Sequence, residues 1–528
     1  MTTTAILSGV MLVIFFTVMI LVGYGARKEA TDVNGFVLGG RSVGPWLTAF
    51  AFGTSYFSAV IFVGYAGQFG WNFGMSATWA GLGNAFIGSL LAWNILGRRT
   101  RVMTQHLDAK TMPDFFGKRF QSTSLKVAAS VIVFIFLIPY TASLYNGLSS
   151  LFGMAFDIPY WVIIIVMAVL TGVYVIVGGY MATAINDFIQ GVIMLFGIAA
   201  VIYSVIQDNG GLVESMKSLS AISGDAGWNG AYSSFFGPDP LALLFVVILT
   251  SLGTWGLPQM VGKFYAIKSE HDIHKGTVIS TIFAIVVAGG CYFLGGFGRL
   301  YADKIAVNPE TGKPLFDTIV PTMLSTLPAA VIAVVIVLVL SASMSTLSSL
   351  VLTSSSTFTL DVINPLSKKK ITEKKQVSIM RIFIVFFIAV SAIIAIVKDA
   401  YPTVTFIAQM MGVSWGALAG AFLAPFLYGL YWKGITKVST IVCFIWGCAI
   451  AIFQMIITLA GIDVTGWGTI LSYIFKSSIN SGVVAMVGGL ILVPVVSLFT
   501  KKQEEKELDE IFSCYNKHVD TTASEYLE

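Results

Sequence analysis

Thirteen apolar runs in this chain are long enough to cross a lipid bilayer, and no other feature limits its fold so severely. They cover roughly residues 5–25, 45–69, 74–97, 126–151, 159–179, 184–206, 240–262, 276–298, 328–356, 379–398, 403–431, 438–460 and 480–500. At about 1.5 Å of rise per residue, some 20 residues cross the hydrocarbon core, and backbone in lipid must satisfy its own hydrogen bonds. The expected fold class is therefore an all-α polytopic membrane protein of about 13 transmembrane helices. With 56% hydrophobic and 11% charged residues, the 528-residue chain falls outside the range of ordinary soluble proteins. The first run, Ala5 to Gly25, is read as a retained helix and not a secretion signal, because no positive charge precedes it and Arg27 and Lys28 follow it.

Taking the loops alternately, 25 of the 31 Lys and Arg residues fall on one side of the membrane. The other side holds only Lys217, Arg299, Lys304, Lys313, Lys398 and Lys476. By the positive-inside rule the basic set is cytoplasmic, which puts the amino end outside and the carboxyl end inside a cell membrane. Two long outer loops, 208–238 and 299–327, are rich in Gly, Asp and Pro and are expected to fold over the mouth of the protein. The charged tail after Lys501 reads as mobile, with at most a short interfacial helix.

Two of the runs are interrupted. Pro45 to Gly70 carries Gly53-Thr54-Ser55 at its middle, and Leu244 to Gly262 carries Gly253, Gly256 and Pro258. A helix opened at mid-membrane must be buried in protein and must give its freed carbonyls a partner, and a cation is the natural one. Paired interruptions in two halves of a chain point to a transporter's binding site.

The densest hydroxyl stripe is Val335 to Leu352, where Ala342, Ser345 and Thr346 stand at i, i+3 and i+4 on one helical face. Hydroxyls and carbonyls suit a hard monovalent cation. Small and hydroxyl residues also let membrane helices pack closely, so the stripe alone supports either use; its pairing with a broken helix favours the ion. Asp187 lies within about one and a half turns of a helix start expected near Ala182, where the dipole favours negative charge. It serves either as a cap or ion-pair partner, or on a sodium pathway. No Arg or Lys in the core is seen to await a carboxylate, although helix N-termini can receive one.

Catalysis has little support. His106, His271, His274 and His518 fall in loops or the tail, away from any nucleophile motif, and no Walker or GxGxxG pattern is present. Cys291, Cys443, Cys448 and Cys514 show no CxxC spacing, and a net charge of +4 does not indicate nucleic acid. An enzyme is not expected, nor is a cofactor beyond a coupling ion.

At these residues the chain resembles the sodium:solute symporter family, which includes sodium/proline, pantothenate, monocarboxylate and sodium/glucose carriers. The landmarks are FVLGGRSVGPWLTAFAFGTSYFSA, TMPDFFGKRF, GGYMATAINDFIQG, GLPQMVGKFYA and SASMSTLSSLVLTSSS, in that order. The resemblance implies a LeuT-like 5+5 core of inverted repeats over 45–206 and 240–431, joined by an outer loop at 207–239. A peripheral helix and loop (1–44) come before it; two peripheral helices (432–500) and a cytoplasmic tail (501–528) come after. It implies a sodium ion held by the carbonyls of Thr54, Phe57 and Ala342 and the hydroxyls of Ser345 and Thr346, with Asp187 tied to sodium-dependent transport. Solute would lie beside Ser55, Tyr56, Ser58, Tyr140, Thr254, Trp255, Pro258 and Gln409.

Departures bear on the solute. Where proline carriers resemble GASDMSGW this chain has Gly53-Thr-Ser-Tyr-Phe-Ser-Ala-Val60, so Tyr56 replaces an Asp and Val60 a Trp. Where they resemble WGLGYFGQP it has Thr250-Ser-Leu-Gly-Thr-Trp-Gly-Leu-Pro258, a turn closer to pantothenate and monocarboxylate carriers. The expectation is a sodium-coupled symporter for an amino acid such as proline or for a monocarboxylate or pantothenate-like carboxylate. Its partners would be solute, sodium and lipid, with no obligate protein partner indicated. A transporter-like sensor or scaffold is the alternative.

Overall fold

The computed structural model describes residues 3–152, 156, 158–307, 312, 314–399 and 407–517; of residues 146, 149, 150, 398, 399 and 407–409 it describes the backbone alone. Nearly all of this is helix. In chain order the elements that matter here are α1 (Thr3–Gly25), α2 (Pro45–Thr54), α3 (Ala66–Phe73) and α4 (Met112–Arg119). Next come α5 (Thr123–Phe152), α6 (Tyr160–Asp208), α7 (Pro240–Leu252), α8 (Pro258–Ala266) and α9 (Glu270–Ala284). The last are α10 (Ala329–Phe358), α11 (Glu373–Asp399), α12 (Ile407–Tyr431), α13 (Lys437–Ala460), α14 (Ser478–Phe499) and α15 (Glu505–Phe512).

Among the described residues ten helices are long and apolar enough to cross a membrane, and the pair Pro240–Gly256 and Pro258–Ala266, bent by 47°, makes an eleventh. The difference from thirteen runs has a physical cause. Tyr160–Asp208 is 49 residues and Val60–His106 is 47, about twice what a bilayer needs. In each, two apolar runs are joined end to end, and the junction is a glycine with positive φ, Gly179 at 55° and Gly74 at 61°. A Cβ at Gly74 would stand 2.1 Å from the Tyr232 carbonyl oxygen, so both the dihedral and the space demand glycine.

Both interrupted runs are broken as their residues require. α2 ends at Thr54, residues 55–58 leave the α-helix, and the chain resumes at Ala59 and the π-helical stretch Val60–Tyr65, leading into α3. α7 ends at Leu252, passes through a 3-10 turn at Gly253–Gly256, and restarts at Pro258, whose missing N–H costs nothing at the first helical position.

The core sits around α10. It packs on α5, α6, α1 and α11, and from Val335 to Leu352 every residue is buried. α2 lies against α6 and α9, while α12 packs on α5, α13, α14 and the 3-10 turn of the second break. Exposed apolar side chains cluster on outward helices such as α1, where Val10, Val13, Ile14 and Leu21 stand free for lipid.

At the basic face, loops are knitted by buried arginines. Arg41 donates to the carbonyls of Tyr265 (3.2 Å), Thr104 (3.3 Å) and Ala109 (2.8 Å). Burial pulls its guanidinium down to about 10, against the pull of Asp108, Tyr265 and Asp114, so it stays charged at neutral pH. The tail forms the short helix α15 that the sequence allows, and residues 503–515 rest against the body. Gln503 bonds Arg119 (2.6 Å), Lys433 pairs with Asp509 (2.5 Å) and the Tyr515 hydroxyl donates to the Leu430 carbonyl (2.8 Å). Spread over the tail, these contacts with the body offset the entropy that composition alone says would win.

On the opposite face the two long loops do fold inward. Arg299 donates to the Trp71 carbonyl (2.6 Å), pairs with Asp225 (3.0 Å) and lies 3.8 Å over the Tyr232 ring. They border a cavity of about 540 Å³ with Asn72, Asp239 and Asn480 on its walls.

Candidate ion and solute site

The break in α2 faces the hydroxyl stripe of α10. Thr346 Oγ1 lies 3.1 Å from the Thr54 carbonyl oxygen, 3.2 Å from that of Phe57 and 3.1 Å from that of Ala342. Ser345 Oγ lies 3.3 Å from the Thr54 oxygen and 3.0 Å from the Ala342 oxygen. All five residues are buried. Each hydroxyl has one proton to donate, so two protons serve three carbonyls and the surplus lone pairs face one another. That is an electron-rich cradle of neutral oxygens. A calcium-sized ion such as sodium takes oxygens at about 2.3–2.6 Å, which spaces adjacent ligands roughly 3.3–3.7 Å apart, so small outward shifts of the oxygens admit it.

Local sequence explains the arrangement. Carbonyls at the end of a helix lack intrahelical partners, and the α2 terminus leaves those of Thr54 and Phe57 free to turn toward α10. Ser345 and Thr346 bond back to the preceding turn through the Ala342 carbonyl, which holds their rotamers.

Several of the expected solute contacts gather beside the cradle. Ser55 Oγ reaches the Ala51 carbonyl and lies 2.9 Å from Ser349 Oγ. Tyr56 and Ser58 are buried with hydroxyls that have no formed hydrogen bond. Tyr140 is buried too; its hydroxyl is directed toward Ser58 and Trp415, its ring edge-on to the Trp415 indole at 6.2 Å. Thr254 and Trp255 turn elsewhere: their side chains donate to the carbonyls of Gly88 (3.3 Å) and Ile87 (3.0 Å) in the π-helical stretch Asn84–Leu91. Pro258 is buried at the start of α8. Gln409 lies outside the residues whose side chains are described.

Asp187 is where the sequence reading needs correction. α6 resumes directly after Gly179, so Asp187 lies about two turns in, beyond the first turn where the dipole acts. Its partner is Lys263 on α8, whose Nζ stands 3.6 Å from Asp187 Oδ2, with both side chains buried. Lys263 thus overturns the expectation that no lysine stands in the core. It follows the apolar run 240–262 and so reads as the first residue of a loop, yet the bend at Gly256–Pro258 carries α8 back beneath the cradle. Lys263 Nζ also donates to Ser349 Oγ at 3.1 Å and lies 5.2 Å from the Tyr180 ring centroid. Ser349, Gln259 and Trp415 were likewise missed. Ser349 carried a signal, since it lies one turn after Ser345 on the same face; Trp415 did not.

Broken helices inside a bundle of spanning helices define the class as a membrane transporter. Comparison with known proteins makes this specific: residues 36–447 match the sodium:solute symporter family, and the chain belongs to it. It is 29% identical over 502 residues to the osmoregulated proline transporter OpuE of Bacillus subtilis (strain 168), covering 93% of this chain and 94% of that one. To the sodium/proline symporter of Staphylococcus aureus (strain JH9) it is 30% identical over 460 residues, covering 84% and 85%. Among solved structures, a Na+-coupled sialic acid symporter in a substrate-bound outward-open state superposes with a TM-score of 0.71 at 15% identity, covering 94% of this chain and 99% of that one. The chain has the LeuT fold of inverted repeats shared by such transporters, and as a family member it is a sodium-coupled symporter.

Proposed function

We propose that this protein takes up a small carboxylate-bearing solute, proline first among the candidates, by alternating access driven by sodium entering through a cell membrane. The observation that carries the reading is the five-oxygen cradle of Thr54, Phe57, Ala342, Ser345 and Thr346, beside the buried Tyr56 and Ser58 hydroxyls. Sodium in the cradle ties α2 to α10, and an ion that binds one state more tightly than the other shifts the balance between them. Proline is favoured because the relatives named as proline carriers align over nearly the whole chain.

In this reading the repeats span 45–206 and 240–431, and the basic loops with the 501–528 tail face the cytoplasm, leaving the amino end outside. Asp187 lies on the route by which sodium leaves the cradle toward the cytoplasm. Tyr56, Ser58 and Tyr140 line the solute's place, with Ser55, Thr254, Trp255, Pro258 and Gln409 around it.

The test is uptake by the purified protein in proteoliposomes. Labelled proline, lactate and pantothenate are offered under an inward sodium gradient and under an equal potassium gradient. Accumulation of at least one with sodium alone is expected; accumulation of none sinks the reading.

A further inference from the structure

Beneath the cradle lies a second polar centre of different chemistry. A cavity of about 50 Å³ lies between the cradle and the loop carrying Lys110 and Thr111, with Lys263, Ser349, Gln259 and Tyr180 on its walls. Gln259 is 2% exposed, yet neither its amide oxygen nor its nitrogen has a hydrogen-bond partner, and the Tyr180 hydroxyl has none either. The Asp187–Lys263 contact, at 3.6 Å, is longer than a hydrogen bond, and both Asp187 oxygens lack one.

A buried ion pair holds a fold well only when its geometry is tight and its remaining lone pairs are satisfied. This one is neither. It lies one serine away from the break in α2, through the 3.1 Å contact of Lys263 with Ser349 and the 2.9 Å contact of Ser349 with Ser55. An ammonium on a flexible four-carbon stem, beside an unfilled amide and a small cavity, is suited to change partners.

We propose that Lys263 and Gln259 form an inner carboxylate site, and that solute and sodium leave by exchanging with the Asp187–Lys263 pair. The solute carboxylate moves onto the Lys263 ammonium and the Gln259 amide while sodium moves onto Asp187. For an anionic solute such as lactate, two neutral pairs thus replace two neutral pairs; zwitterionic proline keeps its ammonium beside its own carboxylate, and the net charge of the centre is the same before and after the exchange. Sodium by itself would strand the ammonium, and solute by itself would strand Asp187. The pair is therefore a lock that opens only to both together, which is what coupling requires.

This inference rests on the carboxylate reading above, and the experiment separates the two. Wild type, K263R, K263Q, D187N and the double variant K263Q/D187N are reconstituted. Proline, lactate, pantothenate and galactose accumulation, sodium flux without solute and thermal stability are measured for each. The single neutral variants are expected to lose at least tenfold in carboxylate uptake, and K263R, which keeps the charge, to lose less than K263Q while remaining coupled to sodium. The double variant is expected to regain the stability lost by the singles but to pass sodium without solute at least fivefold faster than wild type, with its accumulation ratio falling toward one. Wild-type accumulation with a tight sodium barrier in the double variant overturns the proposal. Wild type that accumulates galactose and no carboxylate leaves sodium symport standing and overturns the inner carboxylate site; wild type that accumulates nothing overturns both.

Discussion

Two buried polar centres in this molecule are built in opposite ways. The cradle between α2 and α10 uses neutral oxygens, two hydroxyls and three carbonyls, and the cation proposed for it must come from outside. The centre between α6 and α8 uses a full carboxylate, and its cation is tethered to the chain as Lys263. Neutral ligands attract an ion without trapping it, so the ion can leave on each cycle. A carboxylate buried in protein is intolerable without a cation beside it, so the chain supplies its own.

The sharpest way to break this comparison is to remove one half of the charged pair. Asp187→Ala or Lys263→Met alone leaves an uncompensated charge inside the protein and is expected to cost about 3–5 kcal/mol, against a smaller loss when both are changed. Thermal unfolding in detergent reads this, and equal losses for single and double variants would show that the two residues do not depend on each other.

A smaller effect is expected in the cradle, where no charge is stranded. Thr346→Ala removes the hydroxyl shared by three carbonyls; bonds to a charged group are worth about 1.5–3 kcal/mol, which corresponds to at least a tenfold weaker half-saturation by sodium. Folding should change little, and uptake with unaltered sodium dependence would remove Thr346 from the ion's shell. Ser345→Ala, whose hydroxyl meets only two of those oxygens, is expected to weaken sodium by roughly threefold to tenfold on the same reasoning. A Ser345 effect larger than that of Thr346 would mean that the ion sits nearer Thr54 than the three-carbonyl contact indicates.

The smallest change addresses the bridge between the two places. Ser55→Ala removes the 2.9 Å contact with Ser349 and is expected to cost about 1 kcal/mol, the net worth of a neutral hydrogen bond. Sodium affinity should hold within threefold while solute turnover falls, as measured by initial uptake rates. If instead sodium affinity drops as far as in Thr346→Ala, the two centres are one site.

Much of this was open to reading along the chain. The apolar runs, the two breaks and the hydroxyl face of α10 follow from short-range rules: apolar length, glycine and proline at mid-membrane, and hydroxyls at i, i+3 and i+4; the Thr54 and Phe57 carbonyls were implied by the family resemblance alone. Ala342, Ser345 and Thr346 lie on one turn of one helix, so their common face needs no tertiary information. The basic loops stood out because charge in lipid is costly enough to sort a whole sequence.

What the sequence alone determined, then, is that this chain crosses the membrane many times and opens two of its helices where lipid forbids open backbone. Only the tertiary structure decided that Lys263 turns inward to meet Asp187, and that residues 503–515 lie against the body. A loop lysine and a core lysine differ by the direction the chain takes after a bend, here 47° between α7 with its 3-10 turn and α8. That direction is set by the helices packed around it, which local composition does not record. The partner of a buried charge lies 76 residues away along the chain, and only folding brings it to 3.6 Å.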